Sequence, residues 1–369
     1  MVRDLTNWFG QAQRNLPWRS EENARDAYRV LVSEVMLQQT TVAAVVPFYE
    51  RFIARFPTIE TLAAAPQEEV LASWAGLGYY SRVRHLHACA QAVVEKHGGE
   101  FPQTLGDALS LPGIGRYTAG AVLSIAFDEP VPIVDANVAR VFSRLFCIEG
   151  DLKNTANQRR LWDEAETLIQ VCAKSGERPS QFNPALMELG ALICVPNEPR
   201  CETCPIQKFC CAFQTGRQNE LPQSTQKAAP TPLHDVCAFA HRINDQGEIQ
   251  ILLRQRPHDA KIWWRGMWEL PRATVAADET PQDALNRALN ELGVMAQPKR
   301  VLRTIAHGVT RYHITLDCWE VEVKEQENFS GRWVTVEEAE ALAMPSSMRR
   351  LLRWLQHHYF EERQLSLLE

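Results

Sequence analysis

Two carboxylates and four thiols stand in surroundings that single them out for chemistry. Glu34 lies in Tyr28–Leu37, YRVLVSEVML. On a helix turning about 100° per residue, apolar side chains cover nearly the whole circumference, and Val30 and Leu37 flank Glu34 one turn either way. Such a helix is buried, and an ionised carboxylate there costs several kcal/mol unless it is paired or used. Burial raises its pKa, which suits a proton donor working near neutrality. The plainer alternative is a glutamate paired with an arginine or capping a neighbouring helix. Asp135, in VPIVDANV, directly precedes a helix beginning near Asn137. As an N-cap it would stabilise that helix by about 1 kcal/mol, and this alone would account for it. A capping aspartate is also held rigid and kept ionised by backbone N–H groups. Two carboxylates in unlike environments, one protonated and one charged, are the arrangement that breaks glycosidic bonds.

The four thiols are Cys194-x6-Cys201-x2-Cys204-x5-Cys210, four of the ten cysteines within seventeen residues. In an intracellular protein such clustering points to metal before disulfides. Soft thiolates suit either tetrahedral zinc or a cubane iron–sulfur cluster. Zinc sites usually pair two C-x2-C knuckles and only Cys201/Cys204 forms one, so the uneven spacing favours the cluster, with Cys211 a competing thiol.

Leu111-Pro-Gly-Ile-Gly-Arg-Tyr-Thr-Ala119 ends one helical stretch and opens another. Gly113 and Gly115 allow a tight turn and close backbone approach, and the next helix offers its N-terminal amides to an anion. This pattern reads as a helix-hairpin-helix gripping a DNA phosphate through main-chain N–H groups; an ordinary αα-hairpin is the alternative. Upstream, Gly76-Leu-Gly-Tyr-Tyr80 precedes Arg82 and Arg84, where aromatics at a glycine turn can stack on bases, although such tyrosines are commonly core.

These groups must be positioned by two halves of different texture. From Leu5 to about Phe213 the apolar spacing is helical, as in Tyr28-Leu31-Val32-Val35 and Val138-Val141-Phe142-Leu145. Gln214–Thr231 has the polar, proline-containing composition of a linker. Beyond it, Val236–Phe239, Ile249–Leu253, Val301–Ile305, Ile314–Val323 and Arg332–Val336 read as strands, and Pro281–Leu292 and Met348–Tyr359 as helices, an α+β domain. The chain has 369 residues, 45% hydrophobic and 23% charged, which excludes a disordered or collagen-like chain. No run approaches the ~18 apolar residues of a membrane span, and Met1–Trp18 has no signal-peptide core; a cytoplasmic protein is expected. The net charge of −6 divides as −4 up to Thr225 and −2 beyond. Any nucleic-acid contact must therefore be local.

In order, the hairpin LPGIG, then VDANV, then the cysteine spacing resemble the helix-hairpin-helix DNA glycosylases with an iron–sulfur cluster. Within that family SEVMLQQT (Ser33–Thr40) and GLGYYSR (Gly76–Arg82) are similar to the adenine DNA glycosylase (MutY) branch. The resemblance covers about Leu5–Phe213 closely and the remainder loosely. It implies an all-α glycosylase domain at 1–213, comprising a six-helix module at about 26–127 and a cluster module at about 1–25 and 133–213. A linker at 214–231 and an α+β Nudix-like (MutT-like) 8-oxoguanine-recognition domain at 232–369 follow.

The resemblance further implies removal of adenine mispaired with 8-oxoguanine or guanine in double-stranded DNA, during base excision repair, by a monomer carrying one [4Fe-4S] cluster on Cys194, Cys201, Cys204 and Cys210. Glu34 would protonate the flipped adenine and then activate water, and Asp135 would stabilise or trap the oxocarbenium-like sugar. Tyr117 and Asn137 match positions lining the catalytic site. Trp18 and Arg19 match residues near the lesion pocket, and Gln39 and Tyr79 match the wedge that offsets the few kcal/mol of flipping. Gly113 and Gly115 form the hairpin. Where the lyase branch typified by endonuclease III carries a Schiff-base lysine, Tyr117 stands, so no efficient strand cleavage is expected. In the degenerate Nudix box Arg287 and Asn290 replace metal-binding glutamates and Glu291 remains, so neither Mg²⁺ nor nucleotide hydrolysis is expected. The family's Phe-Ser-His reader loop is here Val309-Thr310-Arg311, Ala136 replaces the usual glycine after Asp135, and the segment between Trp18 and Glu34 is longer than usual. The rival readings are an endonuclease III-like oxidised-pyrimidine glycosylase/lyase, opposed by Tyr117 and the C-terminal domain, and a non-catalytic iron–sulfur DNA-binding protein.

Overall fold

The computed structural model describes residues 1–20, 23–223, 229–257, 263–326 and 329–360. Its contacts divide the chain into two units, Met1–Val70 with Ser81–Gln226, and Leu71–Tyr80 with Lys227–Glu369. No helix of the described residues is long and apolar enough to cross a membrane.

The helices up to the cysteine loop are α1 (Val2–Ala12), α2 (Ala27–Leu37), α3 (Val42–Arg55), α4 (Ile59–Ala64), α5 (Gln67–Ser73), α6 (Tyr80–His97), α7 (Leu105–Ser110), α8 (Arg116–Phe127), α9 (Ala136–Leu145), α10 (Thr155–Lys174), α11 (Pro179–Leu192) and α12 (Cys211–Gln214). Asp26 starts α2 by accepting the Arg29 N–H, the usual N-cap role. The helix is then buried from Val30 to Met36, Glu34 included, as an all-apolar circumference requires. Ser33 on this helix is buried and bonds back to Val30 O, and Thr40 lies beyond the helix end. Leu5 and Phe9 of α1, Val141 and Phe142 of α9, and Leu186 and Leu189 of α11 form one core.

Two close approaches fix the elements around the site. A Cβ on Gly120 of α8 would lie 2.3 Å from Pro132 O, and one on Gly190 of α11 would lie 2.7 Å from Asn137 Cβ. Glycine at these positions lets the segment entering α9 pack against α8, and α9 against α11.

In the second unit β1 (Thr231–Phe239), β5 (Arg272–Thr274), β6 (Val294–Val309) and β7 (Tyr312–Gln326) form a sheet ordered β5-β1-β7-β6, with β1 parallel to β7. A second sheet runs β2 (His241–Ile243), β3 (Ile249–Gln255), β4 (Trp268–Glu269), and β8 (Arg332–Thr335) pairs with β3. Side chains alternate along β1. Val236 and Ala238 pack with Ala284, Leu285 and Ala288 of α13 (Pro281–Asn290). Cys237 and Phe239 pack with Met348, Leu351 and Leu355 of α15 (Ser346–Leu355). Between β8 and α15 lies α14 (Val336–Ala341).

The expected strands at 301–305 and 314–323 lie within the longer hairpin β6–β7, where register shifts fall at Met295/Ala296, Pro298/Arg300 and Val301/Arg303 of β6 and β7 ends in mostly exposed polar residues. Strands β2, β4 and β5 were not legible, because two or three residues carry no period. The last helix begins at Ser346 and ends in a π turn, Gln356–Phe360. Within the stretch read as linker, Leu221 is buried and its carbonyl accepts from Arg144 Nε at 2.8 Å, so residues up to Gln223 pack on the first unit. One apolar anchor overrides the polar composition there.

Candidate active site

Glu34 (α2), Tyr117 (α8), Asp135 and Asn137 (α9) line one cleft of about 1620 Å³ in the first unit, together with Trp18, Arg19, Gln39, Gly113 and Gly115. The Tyr117 hydroxyl donates to Glu34 Oε2 at 2.5 Å. Burial pushes the Glu34 carboxyl up, the Tyr117 hydrogen bond lowers it, the Asp135 charge raises it and the Arg19 charge lowers it; the outcome is about 7. Burial, and then the charge of Glu34, hold the Tyr117 phenol well above its ordinary range, so it stays a neutral donor. A carboxyl balanced near neutrality can both give and take a proton.

Asp135 caps α9. Its Oδ1 accepts the Val138 N–H at 2.7 Å and its Oδ2 accepts from Asn137 Nδ2 at 3.0 Å. Asn137 Oδ1 in turn accepts from Arg140 Nη2 at 2.9 Å. Capping is thus real, and it fixes this carboxylate at the cleft. Ala136 is exposed there.

Gly113 has φ +74, and a Cβ on it would lie 2.3 Å from His85 Cβ. Gly115 is the N-cap of α8, with open space where a Cβ would stand. Gln39 and Tyr79 are both exposed, at φ +58 and +51, a backbone region costly for residues with a side chain and frequent at functional positions. Tyr79 follows Gly78, whose carbonyl accepts from Trp74 Nε1 at 3.0 Å.

Trp18 is buried rather than displayed, edge-on to Tyr49 at 5.2 Å between ring centroids. Arg19 is bound to a carboxylate the sequence reading passed over, Glu188 of α11, at 3.0 Å. Glu188 is fully buried and also takes Arg14 Nε at 2.8 Å. Burial raises this carboxyl, but Arg14 and Arg19 outweigh burial and bring it to about 2.

The four thiols are half-buried. Burial raises the Cys201 thiol, with the charges of Cys194 and Cys210 adding to it, so the sulfurs sense one another. Arg144, itself buried, donates from Nη1 to Cys194 Sγ at 3.3 Å and to Val195 O at 2.7 Å, and from Nη2 to Pro196 O at 2.9 Å. Among the described residues no group of three or more His, Cys, Asp or Glu is placed to hold a single metal ion. Cys211 does not compete for the site, being joined to Cys147 by a disulfide that the sequence reading did not foresee.

A model of the HhH-GPD superfamily of base excision DNA repair proteins matches residues 32–166, and one of the NUDIX domain matches residues 238–354. The adenine DNA glycosylase of Rattus norvegicus is 34% identical over 410 residues, covering 96% of this chain and 78% of that protein. The chain belongs to the adenine DNA glycosylase family. The adenine DNA glycosylase of Homo sapiens is 35% identical, covering 95% of this chain and 72% of that protein. A solved thermostable thymine-DNA glycosylase is similar over 58% of this chain and 95% of its own, with 32% identity and a TM-score of 0.50. As an adenine DNA glycosylase of base excision repair, the protein acts on DNA as a hydrolase, with a helical domain and a Nudix-like domain.

In that Nudix-like domain Arg287 pairs with Glu279 at 2.8 Å and Glu291 with Arg254 at 3.5 Å. Thr310 and Arg311 form the turn between β6 and β7, exposed, with Thr310 at φ +52. Arg311 Nη2 donates to Tyr312 Oη at 2.9 Å, and the Tyr312 ring lies 5.4 Å from that of Trp263.

Proposed function

We propose that the chain removes adenine mispaired with 8-oxoguanine or guanine, without strand cleavage, as a monomer. The observation that carries this reading is the buried Glu34, brought to about 7, in one cleft with the capping carboxylate Asp135. Protonated Glu34 donates to a ring nitrogen of the flipped adenine. The C–N bond breaks with its electron pair leaving on the base, and C1′ becomes oxocarbenium-like. Asp135 meets this cation and traps it as an ester. Glu34, now a carboxylate, takes a proton from water, which attacks C1′ and releases Asp135, leaving an abasic site. Tyr117 steadies Glu34, and Asn137 steadies Asp135. Tyr117 has no amine for a Schiff base, which sets this chain apart from lyases.

Residues 1–213 would perform this reaction, with Gly113 and Gly115 gripping a phosphate and with Gln39 and Tyr79 each filling the gap in the stack. Residues 232–369 would read the opposite base through Thr310 and Arg311. Four soft sulfurs in the uneven Cys-x6-Cys-x2-Cys-x5-Cys spacing, beside a cationic donor, fit a polynuclear [4Fe-4S] group better than zinc. Cys194, Cys201, Cys204 and Cys210 would hold it; when bound it ties residues 194–210 into one fixed loop. Iron and acid-labile sulfide in the purified protein support this, and zinc in their place overturns it.

The reaction is tested by single-turnover cleavage of duplexes containing 8-oxoguanine:A, G:A or an oxidised pyrimidine. Adenine release from the first two supports the reading. Pyrimidine release with strand scission favours the lyase, and binding without release favours a non-catalytic protein.

A further inference from the structure

The Cys147–Cys211 disulfide joins two segments that grip the thiol loop at both ends. Arg144, three residues before Cys147, donates to Cys194 Sγ, Val195 O and Pro196 O at the start of the loop. Its own carbonyl accepts from the Cys210 thiol at 3.5 Å at the end of the loop. Cys211 follows Cys210 directly and opens α12, a helix of four residues. So short a helix is marginal on its own, and the disulfide ties it, and the adjoining Cys210, covalently to the end of α9.

The two sulfurs would stay within reach of each other without that bond. Around Cys147 the Ile148 N–H donates to Ser143 O at 2.9 Å, and Ser143 Oγ donates to Ile148 O at 3.1 Å. Arg217 Nη1 pairs with Glu149 at 2.6 Å and the Gly150 N–H donates to Gln223 Oε1 at 2.8 Å, both crossing from the segment after α9 to the segment after α12. Cys147 and Cys211 are each partly exposed, so a thiol in solution can reach the bond.

We propose that Cys147 and Cys211 are a reversible thiol–disulfide modification site whose state sets how firmly the thiol loop holds its metal group. This rests on the reading of Cys194, Cys201, Cys204 and Cys210 as ligands. The oxidant is a low-molecular-weight disulfide. One cysteine thiolate attacks it, forming a mixed disulfide and freeing one thiol. The second cysteine attacks the mixed disulfide and frees the other thiol, so two protons and two electrons pass from the protein to the oxidant. In the opened form Cys211 is a fifth thiol beside Cys210, able to displace it from the metal, and α12 is free to fray. In a reducing compartment a disulfide is usually transient and redox-sensing. The proposed substrate, 8-oxoguanine, is itself an oxidation product, so the latch closes under the conditions that generate it.

The test begins with alkylation and mass spectrometry of the folded protein, equilibrated with mixtures of reduced and oxidised glutathione. Cys147 and Cys211 should become protected together as the oxidised fraction rises, and reductant should expose them again. Thiols open to alkylation at every ratio, or a bond that no reductant opens, would overturn the proposal. The second readout is iron release to a chelator, compared between oxidised protein and protein reduced with a phosphine. Reduced protein should lose iron faster by about fivefold or more, and reoxidation should restore the slow rate. Cys147→Ser, which opens the latch and leaves Cys211 in place, should show the fast rate in both states. Cys211→Ser should likewise ignore the reductant but release iron more slowly than Cys147→Ser, because the competing thiol is gone. Equal rates from oxidised and reduced wild type would overturn the latch even if the bond cycles. Zinc in place of iron would refute the cluster reading alone, and its release is compared in the same way; protein that binds no metal would refute both.

Discussion

The Tyr117 hydroxyl stands 2.5 Å from Glu34 Oε2 and opposes the burial that raises that carboxyl. Asp135 acts in the contrary sense, its charge raising Glu34 further. The proton on Glu34 is thus set by two neighbours that pull in opposite directions.

This balance gives a pH dependence with a definite sign. The acid form of Glu34 is populated below its pKa, so adenine release in single turnover should fall as pH rises through about 7. Tyr117→Phe removes a hydrogen bond to the carboxylate and should move that limb to higher pH. Asp135→Asn removes a like charge and should move it to lower pH, with a large loss of rate. Glu34→Gln should cost about 100-fold or more at every pH. A limb unmoved by both neighbours would show that another group titrates.

Glu188 governs acid stability. Its folded carboxyl lies at about 2, against an ordinary 4.5. Its contribution is therefore fully present above pH 4.5 and is lost as pH falls through 2, on the order of 3 kcal/mol in all. Glu188→Gln should flatten this dependence and destabilise by about 3–5 kcal/mol, as removing one partner of a buried ion pair does. Urea unfolding at several pH values measures both effects.

Glu34 and Glu188 also mark what the sequence could and could not disclose. Glu34 stood out because its own helix offers no polar face, a local fact. Glu188 sits in an ordinary-looking LMELGAL, and its partners are 174 and 169 residues away, beyond any periodicity. The Cys147–Cys211 pair, 64 residues apart, was hidden for the same reason, whereas the four clustered thiols announced themselves by spacing. In the second unit the buried strand β1 and helix α13 were legible from apolar runs and turn residues. The outer parts of β6 and β7 were not, because two strands that pair with each other need few apolar residues at their ends.

The turn at Thr310–Arg311 carries the discrimination of 8-oxoguanine from guanine in the proposed function. Arg311 is tethered to Tyr312 by a hydrogen bond and a ring contact at 5.0 Å, so its cation stays at the turn. Arg311→Ala should reduce the preference for 8-oxoguanine:A over G:A by about tenfold, the loss of roughly one charged hydrogen bond, while G:A rates change little. Tyr312→Phe, which frees the arginine without removing it, should give a smaller loss in the same direction. Equal preference in both variants and in the wild type would assign the discrimination elsewhere.

The two hairpin glycines should fail in different ways. Gly113 has φ +74, with His85 Cβ at 2.3 Å from any added Cβ, so Gly113→Ala strains the turn and should lower thermal stability along with DNA affinity. At Gly115 the backbone is extended, φ −94 and ψ 173, and an added methyl meets nothing within 4 Å. Gly115→Ala should therefore leave stability within about 0.5 kcal/mol of wild type. The methyl would nevertheless occupy the space a phosphate must enter to reach the α8 amides, so affinity should fall for every duplex, mispaired or not. Main-chain amides carry no side-chain cation to this contact, so the salt dependence of binding should keep its slope, in contrast to the loss of about one unit expected when a lysine contact to phosphate is removed. Unchanged affinity in Gly115→Ala, measured beside an unchanged melting temperature, would remove the hairpin from the DNA interface.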